Sequence, residues 1–109
     1  MAKVEITNVG FETLFLLEQY LAEFISEPES LSDQLVDIAA DKIASHPESC
    51  PICPELEYIG IFDCLQLKIN DHYKILYRYD KSINTVFVTA FMRTRQSAEK
   101  LLVQYALLT

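Results

Sequence analysis

Residues 73–80 read YKILYRYD and form the clearest strand pattern in the chain. Its three tyrosines and its isoleucine recur at every second position, which is the period of a β-strand with one face packed on a core. A second apolar segment, TVFVTAFM at 85–92, follows the polar turn at 80–84, and LQLKI at 65–69 precedes YKILYRYD across the turn Asn70-Asp71. Because turns this short join antiparallel neighbours, the sequence predicts a three-stranded antiparallel meander.

The period changes to that of a helix in the N-terminal half. After a short strand predicted at 4–7, an amphipathic helix is predicted from Phe11 to a stop at Pro28. Its predicted apolar face consists of Phe11, Leu14, Phe15, Leu17, Leu21, Phe24 and Ile25. A second helix is predicted from the capping residue Ser30 to Pro47, and the short link between the two helices predicts an antiparallel pair.

Three further features complete the prediction. Thr7 or Asn8 is the expected cap of the first helix. The segment 46–57 contains three prolines and is predicted to be a loop, and a short helix is predicted at 95–106. The order β-α-α-β-β-β-α predicts an α+β fold, in which an N-terminal strand and a helical hairpin pack on the antiparallel meander beside a short C-terminal helix. A chain of 109 residues forms one such domain, 1–109.

The net charge of −7 is unevenly distributed. Residues 1–63 carry two basic and thirteen acidic side chains, whereas residues 64–109 carry seven basic and three acidic ones, a net charge of +4. The acidic total disfavours nucleic acid or an anionic membrane as a bulk partner. The basic C-terminal part is either a face for an acidic partner or phosphate, or simply the complement of helices that carry solvated carboxylates.

The sequence also indicates a cellular location. No apolar stretch reaches the roughly 20 residues of a membrane-spanning helix, and the N-terminus lacks the apolar run of a secretory signal. The three cysteines are an odd number and are expected to be reduced thiols. Together these features predict a cytoplasmic protein without a membrane partner.

Two segments resemble the ParE/RelE toxin superfamily. Tyr73, Ile75 and Tyr77 match the Tyr-Arg-Ile-x-Tyr-like strand of that family, and VFVTAFMRTR at 86–95 is similar to the hydrophobic strand and basic motif that follow it. The helix pair and the proline-containing loop come in the order that the family shows. The resemblance covers nearly the whole chain in layout and residues 73–102 in motif, and it implies a single ParE/RelE-like toxin domain.

The resemblance also implies a function, namely the toxin of a type II toxin–antitoxin pair of the kind associated with plasmid stabilisation. Such toxins are held inactive by a cognate antitoxin, whose tail folds on binding across apolar toxin surface. RelE-like members cleave mRNA on the ribosome, with basic residues at the ribose and phosphate and often a C-terminal tyrosine. ParE-like members inhibit DNA gyrase and have no catalytic set.

The residues of this chain favour the ParE-like branch. Tyr105 has the helical spacing of a packing residue, and Asp63, Cys64 and Gln66 stand where family members commonly place an arginine. We therefore expect a gyrase inhibitor without catalytic residues, in which direct nucleic-acid binding is doubtful. A RelE-like ribosome-dependent mRNA endonuclease and a non-toxic interaction module are the alternatives.

Four basic residues are the candidates for binding the target or the antitoxin, and these are Lys74, Arg78, Arg93 and Arg95. Arg93 and Arg95 lie at the predicted end of the last strand and carry the main expectation. A solvated strand terminus is the alternative for this pair, because exposed charges of this kind contribute little by themselves.

A zinc site is the one alternative constellation. Cys50 and Cys53 have the spacing of two thiolate ligands, and His46 and Cys64 are possible further ligands. A second cysteine pair of this kind is absent from the sequence, so ordinary loop cysteines are the favoured interpretation. The sequence predicts neither a metal nor a cofactor.

Overall fold

The computed structural model of the chain describes the backbone of residues 1–106 and the side chains of residues 1–102. The elements in chain order are β1 (Lys3–Ile6), α1 (Asn8–Leu21), α2 (Pro28–Ile38), a π-helical turn (Ala39–Ile43), α3 (Pro54–Tyr58), β2 (Leu65–Ile69), β3 (Tyr73–Asp80), β4 (Thr85–Arg93) and α4 (Ala98–Ala106). The predicted α+β class is confirmed, with the short helix α3 in addition. None of the helices within residues 1–106 is long and apolar enough to cross a bilayer.

The four strands form one sheet in the order β1-β4-β3-β2. Strands β2, β3 and β4 are antiparallel neighbours, as predicted. Asn70, Asp71 and Asn84 take positive φ angles in the two connecting turns, which Asn and Asp tolerate better than most residues. Strand β1 lies parallel to β4 at the sheet edge, a pairing between distant segments that local sequence patterns do not specify.

Helix α1 is fixed directly on β4. The Thr7 hydroxyl accepts a hydrogen bond from the Gly10 amide at 3.0 Å and donates one to the Val88 carbonyl at 3.1 Å, so the predicted cap also ties the helix start to the sheet. Gly10 is needed for this approach, because a Cβ atom there would lie 2.6 Å from the Val88 carbonyl oxygen. One turn later, the Thr13 hydroxyl accepts a bond from the Phe91 amide at 3.0 Å.

The predicted boundary between the first two helices is wrong. Helix α1 ends at Leu21, and Pro28 is the first residue of α2 rather than a stop signal. Proline suits the first helical position, because its φ is already helical and the amide hydrogen it lacks has no partner there. Ser30 therefore lies inside the first turn of α2 and does not cap it.

The predicted apolar face of α1 is also partly wrong. Leu14, Leu17 and Leu21 are buried, but Phe11 and Phe15 are more than half exposed, and Phe24 and Ile25 lie exposed beyond the helix end. Helix α1 buries only the stripe that faces the sheet.

Two other boundaries differ from the prediction. The segment 46–57 contains the start of α3, because Pro54 occupies a first helical position just as Pro28 does. The C-terminal helix begins at Ala98 instead of residue 95. The prediction that the Tyr105 side chain packs with Leu101 and Leu102 lies outside the described side chains.

The sheet separates two apolar clusters. The first face of the sheet packs against α1 and α2, and its buried residues include Ile75, Tyr77, Val86, Val88 and Phe91. The second face packs against α3 and α4, and its buried residues include Leu76, Ala90, Met92, Cys53 and Cys64. A bulge at Thr89 opposite Leu76 and Tyr77 switches the alternation along β4, which is why Val88 and Ala90 lie on opposite faces.

Candidate functional site

Two lysines lie side by side on the second face of the sheet. Lys74 in β3 is directly opposite Lys68 in β2, and Cα partners in an antiparallel ladder point to the same face. Lys74 is only 7% exposed, whereas Lys68 is exposed. Like charges in this position repel each other, so this lysine pair of Lys68 and Lys74 is a cost to the fold that a bound anion would relieve.

No carboxylate of the described side chains lies within ion-pair distance of either lysine; the two ion pairs found among those side chains join Lys3 to Glu5 and Lys81 to Glu48. The charge of the Glu55 carboxylate does interact with that of Lys74. Its oxygens are already occupied, as they accept hydrogen bonds from the start of α4. Neither lysine therefore makes a contact ion pair within the described part of the chain.

Helix α4 is held on the second face by these bonds. The Glu55 carboxylate accepts from the Ser97 hydroxyl at 2.7 Å and from the amides of Ala98 and Glu99 at 3.0 Å each. Burial raises the pKa of Glu55, but these hydrogen bonds and the charge of Lys74 outweigh it, so that the pKa lies below its usual value. A carboxylate from α3 thus serves as the N-terminal cap of α4.

Arg78 lies further along β3, with its guanidinium 5.9 Å from the centre of the Phe87 ring. It lines a largely apolar cavity of about 370 Å³ that runs between Val9, Ile61 and Leu102. Lys74 and Arg78 are two of the four predicted site residues, and alternation along the strand places them on the same face.

Arg93 and Arg95 lie elsewhere. The Arg93 guanidinium stacks 3.8 Å from the centre of the Tyr20 ring at the end of α1. Both arginines line a cleft of about 200 Å³, together with Asp71 and His72 of the β2–β3 turn. The four predicted residues therefore form two separate sites, because Arg93 follows the bulge in β4 and points away from Lys74.

The cysteines do not form the alternative zinc constellation. Cys50 packs with the cluster on the first face, whereas Cys53 and Cys64 are buried in the cluster on the second face. Among the described residues, no three histidine, cysteine or carboxylate side chains converge in a way that could hold a metal ion. Burial raises the pKa of the Cys64 thiol to about 11, and neighbouring Cys53 adds to this effect.

Sequence reasoning missed three residues of these sites. Lys68 belongs to the lysine pair, Glu55 caps α4 and Tyr20 supports Arg93. The pairing of Lys68 with Lys74 could be predicted from the sequence if the hairpin register about Asn70-Asp71 were assumed, because that turn sets which residues face each other. The roles of Glu55 and Tyr20 depend on contacts between distant segments.

The fold has counterparts among solved structures. The chain is similar to the RelBE2 toxin–antitoxin complex of Mycobacterium tuberculosis, with 19% identity, a TM-score of 0.63 and coverage of 84% of this chain and 96% of that chain. It is similar to the isolated RelE toxin of E. coli at 15% identity and a TM-score of 0.53, over 98% of this chain and 99% of that one. The intact E. coli RelBE complex is similar at 16% identity and a TM-score of 0.52, over 88% of this chain and 100% of that one.

No family model matches the chain, and no curated protein matches it. At these low identities the likeness concerns the fold. The described architecture is thus that of a small α+β protein with a helical hairpin on a four-stranded sheet. More specifically, it is the fold of the RelE toxins in these structures, in agreement with the fold that the resemblance in sequence implied.

Proposed function

We propose that this chain is the toxin of a type II toxin–antitoxin pair and that it acts as RelE-like toxins do, on mRNA at the ribosome. The observation that carries the proposal is the lysine pair, which lies on the second face of a RelE-like sheet and makes no contact ion pair with a carboxylate among the described side chains. The similarity to isolated RelE and to RelBE complexes supports the same choice. This proposal of RelE-like action replaces the preference for gyrase inhibition that was based on the sequence.

The chemistry of RNA cleavage explains what the lysine pair would do. Attack of a ribose 2′-OH on the adjacent phosphate places additional negative charge on the phosphate oxygens in the transition state. Lys68 is the exposed member and would contact a phosphate oxygen directly. Lys74, its ladder partner on the same face, is buried and would add positive charge in surroundings that screen the charge less than water does.

A cognate antitoxin is part of the proposal, because the RelBE structures are toxin–antitoxin complexes. A small reading frame that overlaps the upstream end of the gene and encodes a DNA-binding N-terminus is the expected genomic arrangement. A ribosomal target also places the protein in the cytoplasm.

The proposal is tested by inducible expression in bacteria. We expect growth arrest with the wild-type chain and growth with Lys68→Ala, because Lys68 is exposed and its loss removes phosphate contact without disturbing the core. Lys81→Ala is the matched control, since Lys81 is an exposed lysine whose partner is Glu48 in the loop after α2. If Lys68→Ala and Lys81→Ala both allow growth equally, or if both still arrest growth, the assigned role of the lysine pair is contradicted.

A further inference from the structure

Two buried thiols lie next to each other on the second face of the sheet. Cys53 directly precedes α3 and Cys64 directly precedes β2, and both belong to the apolar cluster that packs against α3 and α4. Cys53 is fully buried and Cys64 is only 4% exposed. Both are free thiols, and the proposed chemistry on RNA uses neither of them.

The backbone brings these two cysteines into register. Ile52 and Leu65 form an antiparallel β-bridge, so Cys53 and Cys64 are the next pair along it. The Cys53 amide donates a hydrogen bond to the Cys64 carbonyl at 2.8 Å. Pro54 supports this arrangement, because a residue before proline is disfavoured in the helical region, and Cys53 is extended with φ −62° and ψ 113°.

This register suits a disulfide bond. Residues that share a backbone hydrogen bond across an antiparallel pair have Cα atoms about 5.5 Å apart and side chains on the same face. Disulfides span Cα separations of about 4.4–6.8 Å, most often about 5.5–6 Å. Cys53 also contributes to raising the pKa of the Cys64 thiol, which agrees with this proximity. Cys50 packs with the cluster on the first face, so the fold separates it from both.

We propose that Cys53 and Cys64 form a reversible disulfide, with a small-molecule disulfide as the oxidant. The thiolate of one cysteine attacks a sulfur atom of the oxidant, which gives a mixed disulfide and one small thiol. The second cysteine thiolate then attacks the protein sulfur of the mixed disulfide, closes the bond and releases the second small thiol. Two electrons pass from the protein to the oxidant, and the two small thiols take up the protons that the cysteines lose.

Burial of the two thiols controls the rate of this exchange. The pKa of Cys64 is raised to about 11, so very little of its thiolate is present at neutral pH in the closed structure. The reaction therefore requires a transient opening of α3 or α4, which cover the pair. The bond forms slowly in the native protein and, once formed, is protected from reduction by the same burial.

The disulfide restrains α3 and, through it, α4. The bond closes a loop of residues 53–64, which contains α3 and therefore Glu55. The Glu55 carboxylate is the N-terminal cap of α4. In the oxidised protein α3 is linked covalently to the start of β2, so the cap stays in place and α4 opens less often. The thiol pair thus acts as a redox-sensitive switch of α4 opening.

Oxidation of the full-length chain with oxidised glutathione tests the proposal. Remaining thiols are alkylated with iodoacetamide in urea, and the digested chain is mapped by mass spectrometry. We expect a peptide pair linked through Cys53 and Cys64, and dithiothreitol should restore both thiols. Cys50→Ala is the matched control, because it removes the third cysteine without altering the pair, and it should form the same bond. Cys64→Ala should form no internal bond.

The melting temperature and hydrogen exchange measure the consequence of the bond. The oxidised chain should melt about 5–15 °C above the reduced chain, because a crosslink of this length restricts the unfolded state. The Leu101 amide of α4 should exchange about threefold or more slowly in the oxidised chain. Cys64→Ala treated with the same oxidant should show neither change.

Four results would overturn the proposal. Free Cys53 and Cys64 thiols after prolonged oxidation of Cys50→Ala, or a linkage of Cys50 to either of them in the wild type, would contradict the register. A melting temperature lowered by the bond would show that the native structure opposes it. Equal exchange of the Leu101 amide in the oxidised and reduced chains would contradict the restraint of α4. Growth arrest tests the proposed function separately and does not depend on these outcomes.

Discussion

Replacement of Glu55 by alanine should release the start of α4 from the second face of the sheet. The carboxylate of Glu55 accepts three hydrogen bonds, from the Ser97 hydroxyl and from the amides of Ala98 and Glu99. Alanine removes both acceptor oxygens, and with them all three hydrogen bonds, and leaves the buried contacts of Ala98 and Leu101 in place. The expected effect is therefore a local opening of α4 and not loss of the fold.

The magnitude follows from the type of contact. Loss of an N-terminal cap costs about 0.5–2 kcal/mol, and a carboxylate at a helix N-terminus adds about 0.3–1 kcal/mol when it is exposed. Because Glu55 is only partly buried, water replaces some of the lost bonds, and we expect about 1–2 kcal/mol in total. This difference corresponds to a factor of about 5–30 in the opening equilibrium of α4.

Hydrogen exchange with mass spectrometry measures this opening. The Leu101 amide, which donates to the Ser97 carbonyl at 3.1 Å, should exchange about 5–30 times faster in Glu55→Ala than in the wild type. Amides of β3 should keep their wild-type rates. Glu57→Ala is the control, because Glu57 is an exposed neighbour on α3 whose side chain makes no hydrogen bond to α4 in the described structure.

The pH dependence provides a second check. The pKa of Glu55 is lowered in the folded protein, so its contribution is complete above the ordinary value of 4.5 and is lost as the pH falls through the lowered value. The difference between wild type and Glu55→Ala should therefore disappear in acid. Unchanged exchange at Leu101 in Glu55→Ala at neutral pH, or an equal change in Glu57→Ala, would refute the assignment of Glu55 as the cap.

Three other predictions concern the core. Thr13→Val removes the acceptor of the Phe91 amide and should lower the free energy of unfolding by about 1–3 kcal/mol in urea titrations; wild-type stability would contradict the bond. Gly10→Ala places a Cβ atom 2.6 Å from the Val88 carbonyl oxygen and should destabilise the protein by about 1–3 kcal/mol, although alanine has the higher helix propensity. A urea midpoint above that of the wild type would contradict this close approach. Cys64, whose pKa is about 11, should resist iodoacetamide at about pH 8 in the native protein and react in urea, as mass spectrometry can show, and rapid native alkylation would contradict its burial.

Much of the fold follows from local sequence patterns. The alternation in YKILYRYD and the two polar turns predict the hairpins, and Thr7 predicts the start of α1. These features are local, since strand period, turn residues and helix caps each depend on a few consecutive positions. The parallel pairing of β1 with β4 depends on a contact between the two ends of the chain, and no short segment encodes it.

Errors arose where one residue type has two structural uses. Proline ends helices and also starts them, so the predicted stop at Pro28 and the predicted loop through Pro54 are both wrong. Phenylalanine is common in cores but also occurs on protein surfaces, so the predicted apolar face of α1 is wrong at Phe11 and Phe15, which are exposed.

The four predicted site residues lie in two separate places because of a feature that the sequence does not show. Lys74 and Arg78 follow from strand alternation, but a single bulge at Thr89 turns Arg93 to the other side of the sheet. Sequence composition does not reveal such a bulge, because threonine is common in regular strands as well.

Cleavage of mRNA by the purified chain in the presence and absence of bacterial ribosomes tests the proposed function most directly. Primer extension should reveal new 5′ ends only when ribosomes are present. Cleavage should fall about 100-fold in Lys68→Ala, which loses one charge that stabilises the transition state, and should be unchanged in Lys81→Ala. Intact mRNA in every reaction, together with blocked supercoiling and accumulated cleaved DNA in a gyrase assay, would contradict the RelE-like assignment.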